Sequence, residues 1–211
     1  MNENSENNPT ETGSDNSAWA GLNTTLTTHD LLEFCTDIER LFRINPYLEF
    51  SSWEQTSPQN ASISITNISN DEPFSLDSDI SISKLDDGFR IEYSDGIKSS
   101  TRFKVEPSDT GALLKIIDEY HDIDETNEAA IKQVDKSIVA WAKDLQEYIF
   151  KWQRWKWLAP WRWYMRGPWQ RMKPPARRIT YMLFWITFAE LMGFILIFVI
   201  FWYDFDEFFK L

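Results

Sequence analysis

The chain has 211 residues, a formal net charge of -12 and 43% hydrophobic residues. This length fits one ordinary domain plus a membrane anchor. The negative charge argues against a nucleic-acid-binding protein, because phosphate contacts need a basic surface. The single cysteine, Cys35, excludes an internal disulfide, and its apolar helical neighbours Leu31, Phe34 and Ile38 predict a buried thiol.

The first residues are rich in Asn, Ser, Thr and acidic side chains and contain almost no apolar residue. They lack the basic n-region and the apolar h-region of a secretory signal peptide. Such a polar segment buries too little apolar surface to offset the entropy lost on ordering. Residues 1–16 are therefore predicted to be a disordered acidic tail.

Residues 17–156 are predicted to form the folded domain. An extended stretch, AWAGLNTTLTT, is followed by Thr27 and Asp30 at capping-box spacing and by the helical pattern LLEFCTDIERLF. Six alternating runs come next: YLEFSSW, SISITNI, DISISKL, GFRIEYS, STRFKVE and ALLKIIDEY. Turn-rich segments separate them, so they predict six further strands of an antiparallel sheet.

A long helix is predicted to close the domain, because apolar residues recur at steps of three and four. These residues are Ile131, Val134, Ile138, Trp141, Leu145, Tyr148 and Trp152. The sheet is the large surface against which this apolar stripe can be buried. The predicted fold class is α+β, with an antiparallel sheet wrapped over the long C-terminal helix and one transmembrane helix after it.

The order of these elements resembles the START-like superfamily of polyketide cyclases and lipid-transport proteins, also called SRPBCC proteins. The resemblance is carried by LNTTLTTHDLLEFCTDIERLFRINPYLEFSSWEQ and GFRIEYSDGIKSSTRFKVEP, with DIERLFRINPYLEFSSWE its most similar part. It covers about residues 17–156 and implies a helix-grip fold with an apolar cavity between the sheet and the last helix. Such cavities often hold lipids, sterols or quinones, but the superfamily also includes cyclases, hydrolases and protein-binding modules.

The lining of that implied cavity is expected from the alternation of apolar residues along the predicted strands and helix. The expected ligand-binding residues are Phe50, Ile65, Phe89, Ile91, Tyr93, Phe103 and Trp141. The alternative for each of them is an ordinary core residue with no space for a ligand beside it, and that is the more frequent role.

Catalytic, metal and cofactor motifs are absent from the sequence. His29 and His121 have no partner at metal-ligand spacing, and G-x-S-x-G, P-loop and dinucleotide patterns are missing. The acidic residues Asp122, Asp124 and Glu125 are typical of a solvated turn. These observations favour a protein that is not an enzyme and that uses no metal and no cofactor.

Residues 157–178 are predicted to form a Trp- and Arg-rich collar at the membrane interface. Residues 151–178 contain nine Lys or Arg, no acidic residue and six of the eleven Trp, and prolines interrupt them. The predicted interface residues are Trp152, Arg154, Trp155, Trp157, Trp161, Arg162, Trp163, Arg166 and Trp169. Three roles remain open for this bent segment: binding of anionic lipid, plain anchoring, and docking against the acidic domain.

Residues 179–203 are predicted to form a transmembrane helix, in which Glu190 is the only charged residue of the run YMLFWITFAELMGFILIFVIFWY. The alternative, a buried core helix, would need a large domain to surround it. Lys and Arg are concentrated before this helix, so the positive-inside rule predicts a cytoplasmic N-terminal domain. The short acidic tail, residues 204–211, is then on the opposite side of the membrane.

A carboxylate in the middle of a membrane span is costly and favours a polar or small-residue partner. The predicted contact face for another transmembrane helix consists of Thr187, Ala189, Glu190 and Gly193. The alternative is a protonated Glu190 that a very apolar helix tolerates without a partner.

Together these features predict a membrane-anchored START-like protein that binds a hydrophobic ligand, lipid or quinone-like, at the cytoplasmic membrane face. An accessory or assembly subunit of a larger membrane complex is the alternative, and an enzyme acting on a hydrophobic substrate is a third reading. The expected partners are membrane lipid, a hydrophobic small molecule and a transmembrane protein at the Glu190 face, but no nucleic acid.

Overall fold

The structure is a computed structural model that describes residues 16–121 and 134–208, with side chains up to residue 202. The chain divides into two compact units, Met1–Gln170 and Arg171–Leu211. The predicted acidic tail lies outside the described residues, apart from residue 16. The acidic turn that contains Asp122, Asp124 and Glu125 lies outside them too.

Seven strands form one antiparallel sheet in the N-terminal unit, in the order β1-β7-β6-β5-β4-β3-β2. The strands are β1 Ser17–Thr24, β2 Leu48–Ser57, β3 Asn60–Asn67, β4 Phe74–Leu85, β5 Gly88–Tyr93, β6 Lys98–Ser108 and β7 Gly111–Tyr120. The six strands predicted after the first helical region are confirmed. Because side chains alternate between the two faces of a strand, each apolar row enters the core on one face only.

Two short helices connect β1 to β2: α1, Thr28–Cys35, and α2, Ile38–Ile44. Thr27 caps α1 as its spacing to Asp30 predicts, with the Asp30 backbone N–H donating to Thr27 Oγ1 at 3.1 Å. The continuous helical pattern LLEFCTDIERLF is broken in the middle. Asp37 accepts a hydrogen bond from the Arg40 N–H and so starts a second helix.

The long helix α3, Ile138–Trp155, packs against the sheet through β1 and β7 and also contacts α2. Its buried face contains Ile138, Trp141, Ala142, Leu145, Tyr148 and Ile149. The predicted α+β fold, a sheet wrapped over a long helix, is confirmed. The helix begins later than the apolar pattern predicts, since Val134 precedes it and Asp135 accepts a hydrogen bond from the Ser137 N–H just before it.

Three further helices follow: α4, Ala159–Arg166, α5, Pro168–Arg171, and α6, Pro174–Phe208. Met165 in α4 is buried in the core of the N-terminal unit. The compact unit therefore includes the first part of the segment predicted as a collar. Helix α6 belongs to the C-terminal unit.

Candidate functional site

The predicted ligand-binding residues face the interior between the sheet and α3. Ile65, Phe89, Ile91, Tyr93, Phe103 and Trp141 are all buried. Phe50 is half-buried and contacts Trp53, while the Arg43 guanidinium lies over its ring at 4.9 Å. A packed core and a closed cavity both require such burial, so the ligand-binding role of these residues stays a prediction.

Aromatic rings fill the centre of this interior. The ring of Trp141 lies 5.2 Å from that of Phe42 and 5.4 Å from that of Phe103, measured between centroids. The indole N–H of Trp141 donates to the Leu41 carbonyl oxygen at 2.8 Å. These contacts fix the three rings in one arrangement, so a ligand at this level of the interior would have to displace them.

A groove lies between the α1–α2 turn and strands β2, β4 and β5. Its volume is about 220 Å³. The apolar part of its wall contains Ile38, Trp53, Ile82 and Phe89, and Thr36, Asp37, Glu39, Gln55, Pro58, Gln59 and Lys84 complete the lining. Phe89 is the one predicted ligand-binding residue in this lining; the others come from separate elements whose proximity the sequence pattern did not reveal.

The charges around this groove are unevenly compensated. Asp37 lies 3.5 Å from Arg40 Nε, and Glu39 accepts a hydrogen bond from Arg43 Nε at 2.6 Å. Each carboxylate of the lining therefore has its own guanidinium. Lys84 is exposed and has no ion pair within the described part of the chain. The uncompensated charge of the lining is therefore positive.

Trp53 forms part of the groove wall and carries a buried hydrogen-bond donor without a partner in the described part of the chain. Its buried indole N–H donates to no group in the described residues. A buried donor without an acceptor costs about 1–3 kcal/mol of stability. Trp53 also contacts the rings of Phe42 and Phe50, which fixes the indole at the boundary between the groove and the aromatic centre.

A buried ionic cluster lies at the other end of the interior, around Lys98. The Lys98 Nζ atom is 2.8 Å from Asp118 Oδ2 and 3.0 Å from Asp135 Oδ2. Thr101 donates to Asp118 at 2.6 Å, and the Tyr93 hydroxyl lies 3.0 Å from Thr101 Oγ1. The cluster joins β5, β6 and β7 to the segment that precedes α3.

The pKa values in this cluster follow from one ammonium group shared by two carboxylates. Burial raises the pKa of Asp118 above its ordinary value. Burial acts in the same direction on Asp135, but the Lys98 charge and hydrogen bonds from Ser137 and Asn67 outweigh it and lower that pKa. Although burial alone would lower the pKa of Lys98, the two carboxylates raise it well above its usual value. The charged groups stabilise one another and leave no free nucleophile or base among themselves.

In the described part of the chain, one group of side chains could together bind a metal ion. It consists of His29, Asp30 and Glu33 on α1. All three are exposed, and His29 Nδ1 lies 4.0 Å from Asp30 Oδ1. Adjacent exposed side chains on one helical turn are common without a metal ion.

The predicted membrane-interface residues are found on the last turns of α3, on α4 and α5, and in the turns between these helices. Trp152, Trp161 and Trp169 are half-buried against the core of the N-terminal unit. The exposed members of the set are Arg154, Trp155, Trp157, Arg162, Trp163 and Arg166. Trp157 and Trp163 leave 71% and 70% of their surface exposed. This is unusual for tryptophan, because most of its large ring is apolar. Part of the segment thus packs on the domain while its exposed part remains Trp- and Arg-rich.

Helix α6 contains one stretch, Pro174–Trp202, that is long and apolar enough to cross a membrane. Its mean hydropathy is 2.4, and residues 181–202 are all exposed. The predicted helix-contact residues Thr187, Ala189, Glu190 and Gly193 are all exposed on it. A Cβ atom added at Gly193 would meet no atom within 4 Å, so this surface is open.

The element order of the N-terminal unit is one strand, two short helices, six antiparallel strands and a long helix packed across the sheet. This order and the packing of the long helix on the sheet agree with the helix-grip arrangement that the resemblance to the START-like superfamily implies. No protein-family model matches the chain, and no curated protein matches it.

Solved structures similar to the chain include TTHA0849 from Thermus thermophilus, with 12% sequence identity and a TM-score of 0.48 over 64% of this chain and 97% of that chain. Ara h 8.0201 has 13% identity and a TM-score of 0.42 over 64% and 97% of the two chains. The Polyketide_cyc-like protein Cgl2372 from Corynebacterium glutamicum has 13% identity and a TM-score of 0.34 over 65% and 89%.

Proposed function

We propose that this protein is anchored in a membrane by α6 and uses its START-like domain to bind a hydrophobic ligand, lipid or quinone-like, at the cytoplasmic membrane face. The proposal depends on one observation above all: an apolar helix whose residues 181–202 are all exposed follows a START-like domain in the same chain. A ligand leaving the bilayer then travels a short distance to its binding site, at high effective concentration.

The membrane part of this proposal is supported by the dimensions of α6. The 29 residues Pro174–Trp202 extend about 43 Å at 1.5 Å per residue, more than the roughly 30 Å hydrocarbon core. In water, the exposed apolar surface of residues 181–202 would be unfavourable in proportion to its area. Lipid contact removes that cost, and the exposed Trp and Arg side chains before the helix suit the headgroup region, including anionic lipid.

The ligand part is supported by the groove beside Phe89. The role is a binding role without catalysis. In the Lys98 cluster, the described side chains are already engaged with one another, and the groove carries no paired acid and base of the kind that catalysis requires.

The test is to extract the full-length chain from its source membrane in mild detergent and to analyse the small molecules and proteins retained by mass spectrometry. We expect one hydrophobic compound in near-stoichiometric amount, beyond what an unrelated single-span protein retains after the same procedure. Stoichiometric protein partners without such a compound would contradict the proposal.

That contrary outcome would favour the second candidate function, an accessory subunit of a membrane complex. The observation in its favour is the exposed polar and small-residue face at Glu190 in the middle of an apolar helix. In that case Glu190→Gln should weaken the association with the co-purified protein, whereas a substitution at the exposed Ile195, on the other side of the helix, should not.

A further inference from the structure

We propose that the groove between the α1–α2 turn and strands β2, β4 and β5 binds a single-chain fatty acid, with its carboxylate at Lys84 and its chain against Ile82 and Phe89. This inference rests on the proposed ligand-binding function and names the site and the ligand class. The proposed site is the groove and not the aromatic centre around Trp141.

The size of the groove favours one chain. Its volume of about 220 Å³ is below the roughly 300–1,000 Å³ that is typical of small-molecule pockets. A ligand with two acyl chains or a fused ring system would therefore leave most of its apolar surface outside. One end of a single chain fits this space, and the remainder lies along the rim.

The charges favour an anion. Asp37 and Glu39 at the rim are paired with Arg40 and Arg43, whereas Lys84 has no ion pair in the described residues. Lys84 follows Ile80 and Ile82 at two-residue steps on β4, which places it in the inward-facing register. A cation at the end of an apolar row suits a molecule with an apolar body and an anionic head.

The hydrogen-bonding groups agree with this choice. The exposed ammonium group of Lys84 carries three N–H donors and no acceptor. A carboxylate offers acceptors only, so it complements this cationic donor better than an alcohol or an amine does.

The experiment uses the full-length chain in phosphatidylcholine nanodiscs and two photoreactive probes, a dodecanoic acid and the matched dodecanol, each with a diazirine near the end of its chain. The labelled peptides are identified by mass spectrometry. We expect the acid to label β4 and β5. Lys84→Gln should reduce this labelling about two- to fivefold, the range for an exposed charge pair, while the labelling by the alcohol stays unchanged.

The matched control is Lys143→Gln, which removes another exposed lysine, from α3, and should leave the labelling by both probes as in the natural chain. A second variant, Ile82→Phe, adds volume to the groove wall and should reduce the labelling by both probes. It tests the location independently of charge.

The possible failures are distinguishable. Acid labelling that is the same in Lys84→Gln and the natural chain, or that is confined to α3 and the aromatic centre, would overturn the groove assignment and leave the proposed function standing. Absence of labelling by either probe throughout residues 17–156 would overturn the fatty-acid assignment, and together with the absence of a retained hydrophobic compound in the extraction experiment it would overturn both.

Discussion

The ammonium group of Lys98 lies between two buried carboxylates and is itself only 14% exposed. Desolvating three charges is expensive, and only good geometry with further hydrogen bonds offsets that cost. Thr101 supplies such a bond to Asp118, and the Ser137 N–H supplies one to Asp135. The cluster therefore ties the segment before α3 to the sheet, but its stability depends on every member being present.

Removal of the Lys98 charge should accordingly destabilise the domain strongly. We expect Lys98→Met to lower the free energy of unfolding by about 3–5 kcal/mol, because it leaves two buried carboxylates without their cation. The control is Lys151→Met, whose exposed i,i+4 pair with Glu147 should contribute less than about 0.5 kcal/mol. If the two variants lowered the free energy of unfolding equally, Lys98 would contribute no more to stability than an exposed ion pair does.

Alkylation of Cys35 can measure the free energies of unfolding of the Lys98 and Lys151 variants. Cys35 is the only cysteine, it is fully buried, and burial raises its thiol pKa to about 12. Alkylation at pH 8 should therefore occur only after the N-terminal unit opens, and its dependence on urea reports the stability of that unit in the full-length protein.

Individual site residues differ in how far the sequence reveals them. Asp118 follows Ala112, Leu114 and Ile116 at two-residue steps on β7, and this alternation was a usable signal of a buried carboxylate. Its pairing with Lys98 was not visible, because a register shift after Lys98 alters the inward-facing set on β6.

At the scale of elements, the turn between β6 and β7 depends on Gly111. Its φ is +144°, and a Cβ atom there would lie 2.5 Å from the Thr24 carbonyl oxygen and 2.8 Å from that of Leu26. Both contacts are with backbone, which cannot move aside without displacing the end of β1 and the start of the connection to α1. This glycine therefore permits the close approach of the hairpin to β1.

We expect Gly111→Ala to lower the free energy of unfolding by about 1–3 kcal/mol through backbone strain. The matched control is Gly21→Ala in β1, where the nearest atom to the added Cβ is Leu113 Cδ1 at 3.5 Å. It should be neutral or stabilising by up to about 1 kcal/mol, because alanine reduces the entropy of the unfolded chain. Urea-dependent alkylation of Cys35 measures both, and a harmless Gly111→Ala would contradict the close approach.

The strands were predictable because the two-residue period survives in every one of them, as in ALLKIIDEY and GFRIEYS. The bounds of the helices were less predictable from the sequence. Thr36 donates to the Glu33 carbonyl and Asp37 caps the next helix, so local hydrogen bonds interrupt a continuous apolar pattern. The groove was not predictable, because Ile38, Trp53 and Ile82 come from three elements and meet only in the folded chain.

At the scale of the whole molecule, the chain separates its charges. The acidic composition is concentrated in the N-terminal domain, while residues 151–178 carry nine cations and no acid. The apolar helix follows at once. This separation is a property of the sequence itself, which is why the long apolar helix was predictable without knowledge of long-range contacts. The packing of Met165 into the core was not.

From this separation the positive-inside rule predicts an orientation with the N-terminal domain in the cytoplasm and residues 204–211 on the opposite side of the membrane. We expect Leu211→Cys to react with a membrane-impermeant maleimide in intact cells, and Asn2→Cys to react only in inverted vesicles or after lysis. The buried Cys35 is an internal blank in both variants. The reverse pattern would contradict the orientation, because the cations before the helix would then have crossed the bilayer. Labelling of neither cysteine in intact cells, but of both in inverted vesicles, would mean that α6 does not cross.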